Sequence, residues 1–89
     1  MAESKISKQM RLIRTDYTLP QMSGNTSHTA TLNGYSSPPS LITITDRKAA
    51  RGLIASNWWV SSGILNIQVI LIGSSARSAD EIRFNLLFD

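Results

Sequence analysis

The chain has no cysteine among its 89 residues. That excludes disulfides, thiolate metal sites and cysteine nucleophiles, and it leaves the redox compartment open. No apolar run approaches the roughly 20 residues of a helical membrane span. The N-terminal MAESKISKQM is polar from the start, unlike a secretory signal. No membrane partner is expected, and the cytoplasm is the default compartment. The single histidine, His28, lies in a Ser/Thr stretch with no carboxylate close in sequence. It is expected to be a solvated or interface histidine, because metal sites and catalytic triads both need further groups beside it. There is no glycine-rich phosphate loop. Among the six carboxylates, Asp80 and Glu81 mark a turn into a strand, Asp46 reads as a cap, and Glu3 and Asp89 are near the termini. None forms a pair suited to acid–base work. Neither an enzyme nor a bound cofactor or metal is expected. Asn25-Thr26-Ser27 fits a glycosylation sequon, a chance match without a signal peptide.

What is present fits one small domain. A chain of this length buries only about 60–65% of its unfolded surface, so association with copies of itself would add stability. The net charge of +3 sits wholly in residues 1–14, where Lys5, Lys8, Arg11 and Arg14 oppose Glu3. Over residues 15–89, five basic groups (Arg47, Lys48, Arg51, Arg77, Arg83) cancel five acidic ones (Asp16, Asp46, Asp80, Glu81, Asp89). The division expected is a basic N-terminal arm over 1–14 and a single β domain over 15–89. Such an arm could bind nucleic acid or an acidic neighbour, although an ordinary solvated terminus also carries four charges.

The apolar pattern has period two. GILNIQVILIG (63–73) is bounded by glycines and rich in β-branched residues, and EIRFNLLFD (81–89) alternates Ile82, Phe84, Leu86 and Phe88 with more polar positions. Joined by 73–80 as a hairpin, the two would set Leu71, Val69, Ile67 and Leu65 opposite Ile82, Phe84, Leu86 and Phe88. The other face of that hairpin would pair Ile70 with Arg83, Gln68 with Asn85 and Asn66 with Leu87. SLITIT (40–45) is a further strand, and residues 10–18 favour a strand over a helix because Thr15, Tyr17 and Thr18 are β-formers. Asn33-Gly34 signals a hairpin turn, and Pro38-Pro39 starts a new segment. DRKAARG (46–52) predicts one short helical turn capped by Asp46 and stopped at Gly52. The fold expected is all-β: a small antiparallel sandwich or barrel of about six strands with one helical turn.

SNWWVSSG (56–63) places two tryptophans side by side on a strand, so they face opposite sides of the sheet. A three-residue loop Ser61–Gly63 puts Trp59 in the core and sets Trp58 and Val60 with Ile64, Ile70, Ile72 and Leu87 on a mixed second face. A two- or four-residue loop reverses the tryptophans. The second face is covered by the same chain, by a sister subunit, or serves as a sugar-stacking platform. The main strand is partly apolar on both faces, as a doubly covered strand should be. The chain also stops on the strand residue Asp89, as expected where neighbours hold a strand in place.

ASNWWVSSGILNIQVILIGSS and EIRFNLLFD resemble the β-rich tips of bacteriophage tail fibres and other small phage virion proteins of the tail or head-decoration type. The likeness covers about the last 35 residues. It implies a symmetric β-structured homo-oligomer, often a trimer, that contacts other virion proteins or a host surface glycan. The chain is therefore expected to be a non-enzymatic structural protein of a virion, assembling through strand edges and its apolar second face. Two alternatives belong to other classes. One is a carbohydrate-binding sandwich that stacks a sugar on Trp58 or Trp59. The other is a small barrel that binds nucleic acid through Lys5, Lys8, Arg11 and Arg14.

Overall fold

The computed structural model describes residues 10–46 and 52–89. Six strands follow in chain order: β1 (Arg11–Leu19), β2 (Ser27–Asn33), β3 (Leu41–Asp46), β4 (Leu53–Ser61), β5 (Ile64–Leu71) and β6 (Asp80–Phe88). They form two three-stranded sheets. Sheet 1 has the order β1-β6-β3 and sheet 2 the order β2-β5-β4, and every pairing is antiparallel. The expected all-β sandwich is what the chain forms. Among the described residues there is no helix. The helical turn expected over 46–52 falls largely on residues 47–51, outside the described part.

The core follows from alternation on the two central strands. Leu65, Ile67, Val69 and Leu71 of β5 face Ile82, Phe84, Leu86 and Phe88 of β6, and these eight are joined by Leu19, Met22, Ala30 and Ile42. Each large aliphatic or aromatic side chain so buried contributes about 1.5–3 kcal/mol. The core therefore lies between the central strands and thins toward the edges, where Ile13, Tyr17, Leu32, Ile44 and Val60 are only half-buried.

Three pairings differ from those expected. β5 and β6 are not a hairpin: each is the centre of its own sheet, and they meet face to face across the core. Residues 65–71 and 82–88 match apolar side to apolar side either way, and a loop as long as 72–79 can cross between layers as readily as turn back. The second-face pairs Ile70–Arg83, Gln68–Asn85 and Asn66–Leu87 are thus on opposite outsides of the sandwich. Asn33-Gly34 ends β2 without a hairpin, since β3 lies in the other sheet. Gly34 (φ 90) instead directs its N–H to the Gly63 carbonyl at 2.9 Å, which binds the two loops at that end.

The β4–β5 hairpin closes with two residues, not three. Ser61 pairs with Ile64, and Ser62 (φ 50) and Gly63 (φ 75) make the turn. Positive φ at both central residues is the mark of a type I′ turn, whose twist suits a tight hairpin. At the opposite end, the 20–26 and 72–79 loops lock together. Met22 and Arg77 exchange backbone hydrogen bonds at 2.9 and 2.8 Å, and Asn25 Oδ1 accepts the Gly73 N–H at 2.9 Å. Gly24 lies so close to this crossing that a Cβ there would collide with the backbone of Gly73 and Ser74. Asp46, read as a helix cap, is the last residue of β3. Its carboxylate takes both Arg77 Nε (3.1 Å) and Nη2 (2.8 Å), with the two side chains only 4% and 7% exposed.

Candidate contact surfaces

Alternation that sends one set of side chains inward leaves the other set as two flat outer faces. On sheet 2 the outer rows run across three strands: Ser27–Ile70–Ile54, Thr29–Gln68–Asn57, Thr31–Asn66–Trp59 and Asn33–Ile64–Ser61. Not one of these side chains is charged. Ser56, at the bulge between Ala55 and Asn57, hydrogen-bonds the Gln68 side chain and carbonyl at 3.2 and 3.3 Å. Asn66 Nδ2 donates to the Ile64 carbonyl at 3.1 Å and reaches the Trp59 carbonyl at 3.5 Å. The central amides are thus held in place beside the exposed Trp59 indole. Ile72, just past β5, extends this face and is exposed.

The two-residue turn sets the tryptophan sides, choosing between the two arrangements that loop length left open. Trp58 pairs with Ile67 and packs on the core, its indole N–H donating to the Pro39 carbonyl at 2.9 Å. Val60 pairs with Leu65 and also packs inward. Trp59 pairs with Asn66 and faces out, 43% exposed. Of the second-face residues expected, Ile64, Ile70 and Ile72 do share one outer face with a tryptophan, but the tryptophan is Trp59. Trp58 and Val60 leave the set.

Leu87 belongs to the other sheet. There it stands between Leu12 of β1 and Leu41 of β3, a three-leucine row across the outer face of sheet 1. Leu12, Leu41 and neighbouring Met10 are each about half exposed. Alternation along each strand sets Leu41 on the side opposite Ile42 and Ile44, and Leu12 opposite Ile13. What it could not show was that both strands flank β6. Beyond the leucines the face becomes charged. Arg14 sits beside Asn85, and Asp16 accepts from Arg83 Nε at 2.9 Å in an exposed pair. The Asp16 hydrogen bond and charge, helped by Glu81, raise the Arg83 pKa above its ordinary value.

The basic residues do not form one described patch. Lys5 and Lys8 lie outside the described residues. Arg11 and Arg14 are part of β1, not of a free arm, and three positions apart they face opposite sides of the sheet. Arg11 lies over the Phe88 ring, its guanidinium carbon 5.1 Å from the centroid, and Tyr35 stacks on the same ring at 6.0 Å. His28 is half-buried on the inner side of β2, where its Nε2 is 2.9 Å from the Tyr17 hydroxyl. Burial raises the Tyr17 pKa.

No protein family, no curated protein and no solved structure matches the chain.

Proposed function

We propose that the chain is a non-enzymatic structural subunit that assembles with copies of itself, as a component of a phage particle of the fibre, tail or head-decoration kind. The observation that carries this reading is where the apolar side chains stand. Met10, Leu12, Leu41, Ile54, Trp59 and Ile72 are 43–54% exposed. All six lie on or beside the two outer sheet faces rather than scattered over loops. Grouped apolar residues on a flat, rigid sheet are the usual form of a protein contact. A domain this small also gains stability from burying them. The phage assignment rests on the resemblance of residues 55–89, and other virion proteins are the partners it implies.

Native mass by light scattering at micromolar concentration tests the assembly. A homo-oligomer, a trimer if the resemblance extends to symmetry, is the expected result. A clean monomer overturns it.

A second reading has its own support. Trp59 stands on a face whose other central groups, Thr29, Thr31, Asn66 and Gln68, are uncharged hydrogen-bonding side chains. An aromatic platform beside amides and hydroxyls suits a neutral glycan. A glycan array should then give signals that Trp59→Ala removes and Trp58→Phe keeps. An array without signals ends this second reading.

A further inference from the structure

Assembly leaves open how copies would meet, and the strand edges differ in ways that select one of them. β4 is interrupted by the bulge at Ser56, a device that discourages edge pairing. β3 spans six residues and follows Pro38-Pro39 closely. β2 spans seven and has no Asp, Glu, Lys or Arg, so no ion pair there sets a register. β1 is nine residues long, lacks proline and glycine, and keeps an uninterrupted register against β6, its one sheet neighbour among the described residues.

We propose that β1 pairs antiparallel with β1 of a second copy about a two-fold axis at Thr15, joining the two sheets 1 into one six-stranded sheet. This rests on the assembly reading above and adds to it an edge contact distinct from the apolar outer faces. The register follows by elimination. The inner and outer faces of both copies must stay aligned, so a residue can oppose only one of its own parity. Centring the axis on Arg14 sets Arg14 against itself, and centring it on Asp16 sets Asp16 against itself. Like charges directly opposite are unfavourable. Centring on Ile13 or Tyr17 shortens the overlap and leaves both charges without an opposite partner.

Only Thr15 overlaps all nine residues and sets unlike charges opposite each other. It places Arg14 opposite the partner's Asp16, twice by symmetry, on the outer face. Arg14 makes no ion pair among the described residues. Asp16 already holds Arg83, so the new contact extends the pair into Arg83–Asp16–Arg14 across the interface. On the inner face Ile13 meets the partner's Tyr17. Both are half-buried at the open side of the sandwich, and pairing covers them. An interface in which the same patch serves both subunits is the normal two-fold arrangement.

Charge reversal in two separate chains tests this. Arg14→Glu and Asp16→Lys each replace attraction with repulsion at both contacts, so each alone should weaken association by about tenfold or more. An equimolar mixture restores complementarity. The carboxylate introduced at position 14 of one chain meets the ammonium introduced at position 16 of the other, and the native Asp16 and Arg14 meet at the second contact. The mixture should recover the wild-type native mass as a mixed pair. Both positions are exposed, and a thermal melt confirms that the variants fold. If the wild type is an oligomer that neither variant weakens, or if mixing restores nothing, the β1 interface is wrong while assembly stands. A wild-type trimer has the same meaning, because a two-fold contact builds even-numbered assemblies. If the wild type is a monomer, both fall.

Discussion

The two outer faces are built from strands of similar length with the same alternation, yet they treat charge oppositely. Sheet 1 displays Arg14, Asp16, Glu81 and Arg83, whereas the outer rows of sheet 2 display no charged side chain among the described residues. Position in the fold does not explain this, because each face is the solvent side of a three-stranded sheet packed on the same core. A face meant for water needs charge to stay soluble. A face that gives up its water on contact is better built from groups that lose less when dehydrated than charges do, such as Thr, Asn, Gln, Ile and Trp. On the readings proposed above, sheet 2 would be the face covered by a glycan or partner, and the charges of sheet 1 would set the register at its β1 edge.

Sheet 1 also contains the contrast in miniature: the Asp46–Arg77 pair is enclosed and the Asp16–Arg83 pair is exposed. The largest effect should come from the inner one. Arg77→Ala leaves the Asp46 carboxylate enclosed without its bidentate partner and should destabilise the fold by about 3–5 kcal/mol, read as a fall in denaturation midpoint. Next comes a matched test of the faces. Gln68 and Asn85 occupy the middle of β5 and β6, each on an outer face. Gln68→Glu should weaken glycan binding about tenfold, while Asn85→Glu, on the other sheet, should leave it unchanged. Equal responses would erase the difference between faces.

Smaller still is Arg83→Ala. The exposed pair with Asp16 is screened by water, so its loss should shift the denaturation midpoint little, and raised salt should shrink the effect further. The last test concerns the seam between β1 and β2. Tyr17 has a raised pKa in the fold, so its stabilising contribution is complete below the ordinary tyrosine value near 10 and is lost as pH rises through the folded value. A melting curve of the wild type should fall in that alkaline window more than that of Tyr17→Phe.

Much of this architecture was legible from residue alternation. Ile82, Phe84, Leu86 and Phe88 lie in the core as their spacing requires, and so do Leu65, Ile67, Val69 and Leu71. Their partnership was not legible, because one apolar row matches another equally well beside it or across from it. The tryptophan sides stayed open for a different reason. They depended on whether Ser61 belongs to the loop or the strand, and one residue decides which face every β4 side chain takes. The Asp46–Arg77 pair was invisible because 31 positions separate the partners, and an aspartate opening DRKAARG looks like a cap. The leucine row of sheet 1 required knowing that β1 and β3 flank β6, which is a matter of topology rather than pattern.

The two-residue turn gives the protein a pair of neighbouring optical reporters with opposite surroundings. Trp58 is half-buried against the core and tied to Pro39, so its emission should stay bluer than that of Trp59 until the chain unfolds. Trp59 emits from water and is open to a collisional quencher such as iodide. A partner or sugar settling on sheet 2 would shield Trp59 and leave Trp58 unaltered. Denaturation would red-shift Trp58 first and foremost. Single-tryptophan variants therefore separate docking from unfolding by colour and quenching alone, without any attached dye.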